Sequence, residues 1–152
     1  MNVSIICLGN LKEDYLKAAQ ENLLGRILKK NQVSDCRVIE LKDEPVAENA
    51  SPAQMKQLLE TEGRRILEKI PPHSRVVCLD ISGTKAGVDF FTSLARDMRN
   101  KGQAELVFII GGSLGISDEV KARSNQLISF SRLTYPHQLF RIALLDAIAL
   151  YL

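Results

Sequence analysis

Several features are missing from this chain, and each absence excludes a class of function. No apolar run is long enough to span a bilayer. The short apolar run at residues 3–8 has no basic stretch ahead of it, so a signal peptide is not expected. There are only three cysteines and two histidines, with no metal-ligand spacing among them, which argues against a zinc or iron–sulfur centre. An odd number of cysteines, each inside or beside a strand-like run, reads as buried free thiols in a reducing, cytoplasmic setting. No serine sits in a nucleophile-elbow pattern, no lysine followed by serine or threonine closes a P-loop, and there is no internal repeat, low-complexity stretch or linker. The net charge of +2 is too small to indicate a polyanionic partner by itself.

What is present fits one α/β domain over residues 1–152, long enough for a sizeable core. Strand-like runs at 3–8, 36–41, 75–80, 105–110 and 127–130 alternate with helix-like segments. The first helix carries an apolar stripe of Leu11, Tyr15, Leu16, Ala19, Leu23, Ile27 and Leu28. The second starts at Ser51-Pro52-Ala53-Gln54, which supplies a cap, a proline at the first helical position and a capping box. Its expected core face is Met55, Leu58, Leu59, Ile66, Leu67 and Ile70, and Gly63 in its middle suggests close packing. A turn is expected at Ser82-Gly83, and helices are expected over 88–101, from about Ser117, and from Pro136. The last helix is apolar on nearly every side (Leu139, Phe140, Ile142, Ala143, Leu144, Leu145, Ile148), so a partner subunit is expected to cover part of it. The βα alternation implies a mostly parallel sheet with helices on both faces.

Two strand ends stand out. The apolar run Phe108-Ile109-Ile110 stops at Gly111-Gly112-Ser113-Leu114-Gly115, and the fifth strand runs into Ser131-Arg132-Leu133-Thr134-Tyr135-Pro136. Ligands on open α/β sheets bind outside the carboxyl ends of strands, and glycine lets another molecule approach the backbone. The glycine run is not a dinucleotide fingerprint, and by pattern alone it serves a ligand loop or a tight turn equally well. Asp80, at the end of the third strand, is a candidate functional carboxylate or a turn stabiliser. His137, opening the last helix, is a candidate acid–base group or a helix-end hydrogen bonder. The residues alone define a site near Leu79, Gly112 and 131–136 and do not name a reaction.

The ordered set Cys7-Leu8-Gly9, Glu62-Gly63-Arg64-Arg65-Ile66-Leu67, Leu79-Asp80-Ile81-Ser82-Gly83, Phe108 to Gly115 and Leu127 to Gln138 resembles the large-subunit ribosomal RNA methyltransferase H family, of the SPOUT class. That resemblance implies a carboxyl-terminal trefoil knot, a homodimer, and S-adenosylmethionine as methyl donor. It also implies methylation of N3 of a pseudouridine in large-subunit ribosomal RNA, free or assembled in the ribosome. By motif it assigns cofactor contacts to Leu79, Gly112, Ser131, Arg132, Leu133, Thr134, Tyr135 and Pro136. Arg132 and Arg141 are candidate RNA-phosphate contacts or structural ion pairs, and His137 and Asp80 are candidates for assisting loss of the imide proton. After Leu145 the family pattern continues with a Tyr-Arg pair and a tail ending near Tyr-His, where this chain reads Asp146-Ala147-Ile148-Ala149-Leu150-Tyr151-Leu152. Two other readings therefore stand beside the first: a catalytically silent dimeric module that binds cofactor or RNA, and a flavodoxin-like nucleotide-binding domain.

Overall fold

The computed structural model describes residues Met1–Leu152. Five strands alternate with five helices: β1 (Asn2–Leu8), α1 (Asp14–Leu28), β2 (Asp35–Leu41), α2 (Pro52–Leu67), β3 (Arg75–Lys85), α3 (Val88–Asn100), β4 (Glu105–Ile110), α4 (Asp118–Arg123), β5 (Gln126–Ser129) and α5 (His137–Tyr151). The strands form one sheet in the order β2-β1-β4-β3-β5, with every neighbouring pair parallel. The sheet is therefore α/β with helices on both faces, as the alternation implied. No helix is long and apolar enough to cross a membrane.

The period-two alternation of the central strands divides the interior in two. Val3, Ile5 and Cys7 of β1 and Leu106, Phe108 and Ile110 of β4 join the larger core under α1, α3 and α5. Their neighbours Ile6, Leu8, Val107 and Ile109 join a smaller core under α2 and α4. Both faces of β1 and β4 are covered, which is why these strands read as continuous apolar runs.

Local chemistry sets the boundaries. Ser51 accepts from Gln54 N while the Gln54 side chain accepts from Ser51 N, so the capping box forms around Pro52. Ser117 caps α4 through Val120 N. Gly63 is buried against that cap: a Cβ there would lie 2.2 Å from Ser117 Oγ, so α2 and α4 approach as closely as the glycine suggested.

Some expected details differ. α1 begins at Asp14 rather than Leu11, and Tyr15 and Leu28 are exposed, so its buried stripe narrows to Leu16, Leu23 and Ile27. Met55 of α2 is exposed, because the first turns of α2 extend past the edge of the smaller core. The turn expected at Ser82-Gly83 is instead a bulge within a longer β3. Leu79 and Thr84 both register with Ile128, and residues 80–83 loop out between them. A Cβ on Gly83 would lie 2.5 Å from Ile128 N and 2.6 Å from Leu127 C, so only glycine lets β3 lie directly on the β5 backbone.

The four apolar residues at the core of α5, Leu144, Leu145, Ile148 and Ala149, are buried within this chain. Its uncovered apolar surface consists of Leu139, Leu150 and Tyr151. The apolar surplus expected around Phe140, Leu144 and Ile148 is thus largely satisfied internally, by α1, α3 and the sheet.

Candidate active site

β3, β4 and β5 end together, and their carboxyl ends open into a cavity of about 520 Å³. That size suits a small molecule or cofactor fragment. Leu79, Ile110, Ile128, Phe130 and Phe140 line it with apolar side chains, and Asp80, Ser113, Thr134 and His137 add polar groups. The cavity lies beside the point where the strand order reverses, between β1 and β4, and takes no wall from β1.

Of the residues singled out in the sequence, Leu79, Gly112, Ser131, Leu133, Thr134, Tyr135, Asp80 and His137 line this cavity. Arg132 and Pro136 do not. Arg132 lines a second recess, which shares Ile81, Ser129, Phe130 and Ser131 with the first. The loop from 131 to 136 is exposed but internally braced. Ser129 Oγ donates to Ser131 O at 2.7 Å, and Leu133 N donates to Ser131 Oγ at 3.0 Å. Tyr135 packs edge-on against Phe140 with ring centroids 5.3 Å apart, tying the loop to the first turn of α5. Sequence reasoning missed Ile128, Phe130 and Phe140 as cavity walls because apolar residues at strand and helix positions read simply as core. Their place beside the loop, Ile128 and Phe130 just before it and Phe140 in the first turn of α5 after it, was the available signal.

The glycine run closes on itself. Gly115, at φ +86°, donates from its N to Gly112 O at 3.0 Å, and the two form an isolated bridge. A Cβ on Gly111 would lie 2.4 Å from Gly115 O, so Gly111 permits this tight loop. A Cβ on Gly112 would instead meet Leu8 Cδ1 at 3.2 Å and Glu62 Oε2 at 3.5 Å, neither of which lines the cavity. A side chain at Gly112 would therefore point at the α2 layer and not into the cavity.

Glu62 is itself notable. It is buried, its Oε1 accepts from Glu44 N at 2.8 Å, and its Oε2 has no partner. Burial pushes its carboxyl above the usual value, the Glu44 N–H pulls it back, and the charges of Asp43 and Glu44 raise it further.

Asp80 is firmly committed. It accepts from Ser82 N at 2.8 Å and from Ser82 Oγ, and Lys121 Nζ lies 3.0 Å from its Oδ2. Burial alone would raise its carboxyl, but the Ser82 hydrogen bonds and Lys121 outweigh it and hold Asp80 below the ordinary carboxylate range. A carboxylate so stabilised is a weak base, and the Asx-type contact with Ser82 is the turn-stabilising role.

Arg141 is not at the surface. It is 2% exposed, pairs with Glu40, and donates through NH2 to Gly9 O at 2.9 Å. Its guanidinium joins α5 to the ends of β1 and β2 and is unavailable to phosphate, so the structural ion pair, not the RNA contact, describes it.

A glycine-edged cavity at the ends of parallel strands, bordered by a braced loop leading into a buried helix, is the arrangement of a small-molecule site on an α/β sheet. Comparison with known proteins gives the class: residues 1–149 match the family described as Predicted SPOUT methyltransferase. Ribosomal RNA large subunit methyltransferase H of Clostridium kluyveri is 43% identical over 148 residues, 97% of this chain and 91% of that protein. The protein of the same name from Bacillus thuringiensis is 46% identical over 149 residues, 97% of this chain and 91% of that protein. The one from Carboxydothermus hydrogenoformans is 42% identical, with the same coverage of both chains. The chain belongs to the ribosomal RNA large subunit methyltransferase H family of SPOUT methyltransferases.

Proposed function

We propose that this protein methylates large-subunit ribosomal RNA at N3 of a pseudouridine, using S-adenosylmethionine bound in the cavity at the ends of β3, β4 and β5. The observation that carries this reading is the coincidence of two independent features. Ser131, Leu133, Thr134 and Tyr135 of the loop and the glycine run, which carry the family resemblance, line the same cavity. Family membership supports the reaction class.

The residues present fit that cofactor. The walls of Leu79, Ile110, Ile128, Phe130 and Phe140 suit an adenine ring, and the polar rim suits an amino-acid moiety. S-adenosylmethionine supplies a methyl group already activated on a sulfonium, so the chain's task is chiefly positioning. The loop from Ser131 to Pro136 holds the ligand against the glycine edge, and Phe140 and Phe130 exclude water. His137 takes the imide proton of the incoming base in this reading, which its position in the cavity lining supports. Asp80 holds the β3 bulge in shape, with Lys121 fixing its charge. Arg132 meets RNA phosphate.

The protein works as a homodimer in this reading, through Leu139, Leu150 and Tyr151 of α5 together with Leu133 and Tyr135 of the loop, all uncovered in one chain. Sedimentation as a monomer at micromolar concentration would remove that part. The test of the reading as a whole is transfer of labelled methyl from S-adenosylmethionine to large ribosomal subunits that lack the modification. Cofactor binding without transfer would favour the silent module, and tight binding of a dinucleotide or flavin in its place would favour the nucleotide-binding domain.

A further inference from the structure

The second recess, which adjoins the cofactor cavity along Ile81, Ser129, Phe130 and Ser131, has a chemistry of its own. It measures about 570 Å³ and is lined by Ile81, Ser82, Gly83, Lys85, Ser129, Phe130, Ser131 and Arg132. Two of these residues are cations and none is a carboxylate. Neither Lys85 nor Arg132 takes part in any of the molecule's six ion pairs. Asp80, the residue before Ile81, is held by Ser82 and Lys121. Ser131 Oγ already accepts from Leu133 N, which leaves its own O–H free to donate into the recess.

We infer that Lys85 and Arg132 form a phosphodiester clamp that grips the RNA backbone beside the nucleotide whose base enters the methylation cavity. The inference rests on the reading above and adds to it a second arm, Lys85, and a place for the chain on either side of the target. Three observations carry it. The two recesses share Ile81, Ser129, Phe130 and Ser131 as a common wall, so a strand held in one presents its neighbouring base to the other. Arg132 supplies a planar fork suited to two phosphate oxygens, and Lys85 a compact point charge, the usual complementary pair for this ligand. The positions are also set by backbone: Lys85 registers with Ser129 in the sheet, and Ala86 N donates to Ser129 O at 2.8 Å, so Lys85 is fixed relative to the loop that carries Arg132.

A phosphate clamp leaves a signature that a merely structural lysine does not. Each phosphate contact on a single strand adds about 0.7 to the slope of log affinity against log salt. The experiment measures the affinity of the wild-type protein, Lys85→Gln, Arg132→Gln and the double variant for the ribosomal RNA stem-loop across a salt series. Lys69→Gln, a cation on the far side of the molecule, is the control for net charge. Lys85→Gln is expected to lower the slope by about 0.7 and weaken binding several-fold at low salt, while its affinity for S-adenosylmethionine stays at the wild-type value. Replacing single linkages of the RNA by neutral methylphosphonate should find one, next to the target base, whose loss costs the wild type roughly three- to ten-fold and costs the double variant nothing further. Inorganic phosphate alone should compete only weakly, since the clamp reads a backbone rather than a free ion. A Lys85→Gln slope equal to that of wild type or of Lys69→Gln, no such linkage, or no salt-dependent RNA binding by the wild type would each overturn the inference. Failure of the methyltransferase reading would show separately, as absence of S-adenosylmethionine binding to the wild type.

Discussion

The buried pair of Arg141 and Glu40 should respond unequally to loss of its two members. Arg141 is 2% exposed, whereas the Glu40 side chain is 34% exposed. Removing one partner of a buried ion pair costs about 3–5 kcal/mol when the other is left uncompensated in the interior. Glu40→Ala strands the guanidinium with only Gly9 O at 2.9 Å and Gln20 Oε1 at 3.5 Å, so a cost near the lower end, about 3 kcal/mol, is expected. Arg141→Met keeps most of the buried apolar volume and leaves a carboxylate that can hydrate. Its cost is the lost hydrogen bonds, chiefly the one to Gly9 O, about 1–2 kcal/mol. Glu40→Ala in the Arg141→Met background should then cost far less than it does alone. Urea unfolding with an unchanged m-value measures all three variants. If Arg141→Met proves costlier than Glu40→Ala, or if the two effects simply add, the buried-charge account of this joint is wrong. The joint matters for the site because Arg141 follows Phe140 and anchors the turn of α5 that brings His137 and Phe140 to the cavity.

Three further outcomes are expected. Gly111→Ala should weaken S-adenosylmethionine binding and destabilise the fold more than Gly112→Ala, because its Cβ meets the Gly115 backbone at 2.4 Å whereas that of Gly112 meets the flexible end of Leu8 at 3.2 Å; calorimetry and thermal melting on both variants decide it, and the reverse order contradicts the loop geometry. Glu62 holds its proton more tightly in the folded than in the unfolded chain, so in the window above the ordinary glutamate value of about 4.3 the unfolded state binds fewer protons and stability falls as pH rises. Glu62→Gln removes that slope, so its stability relative to wild type should improve from acid to neutral pH, and a difference independent of pH in paired denaturation curves would refute the assignment. Burial pushes the thiols of Cys7 and Cys78 up to about 11 and that of Cys36 to about 12, so none should be alkylated by iodoacetamide at neutral pH until urea unfolds the protein; mass spectrometry of the native protein checks this.

Much of the architecture was legible because it is written in short-range chemistry. The capping box at Ser51, the buried runs of β1 and β4 and the glycine stop after Ile110 each fix a boundary from a few neighbouring residues. The strand-end rule also located the cavity, since β3, β4 and β5 finish at the same edge. Features set by partners distant in sequence were not legible. Arg141 is buried by Glu40, 101 residues away, and no local pattern separates it from a surface arginine. The direction of the Gly112 Cβ depends on where Leu8 and Glu62 lie, and the Ser82-Gly83 bulge on the passage of β5 beneath it. The helix stripes were drawn too wide for the same reason: periodicity names a face, and the sheet edge decides how much of it is covered.

The methyltransferase reading stands on S-adenosylmethionine binding in the cavity between Leu79, the glycine run and the loop 131–136. Titration calorimetry of the wild-type protein and of Phe140→Ala with S-adenosylmethionine tests this, since Phe140 is a partly buried aromatic wall of that cavity. Saturable binding by the wild type is expected, with a negative heat-capacity change from burial of the adenine against apolar walls, and at least about ten-fold weaker binding by a folded Phe140→Ala, in keeping with the loss of one aromatic contact. Absence of binding by the wild type, or equal affinity in the two folded proteins, would contradict it.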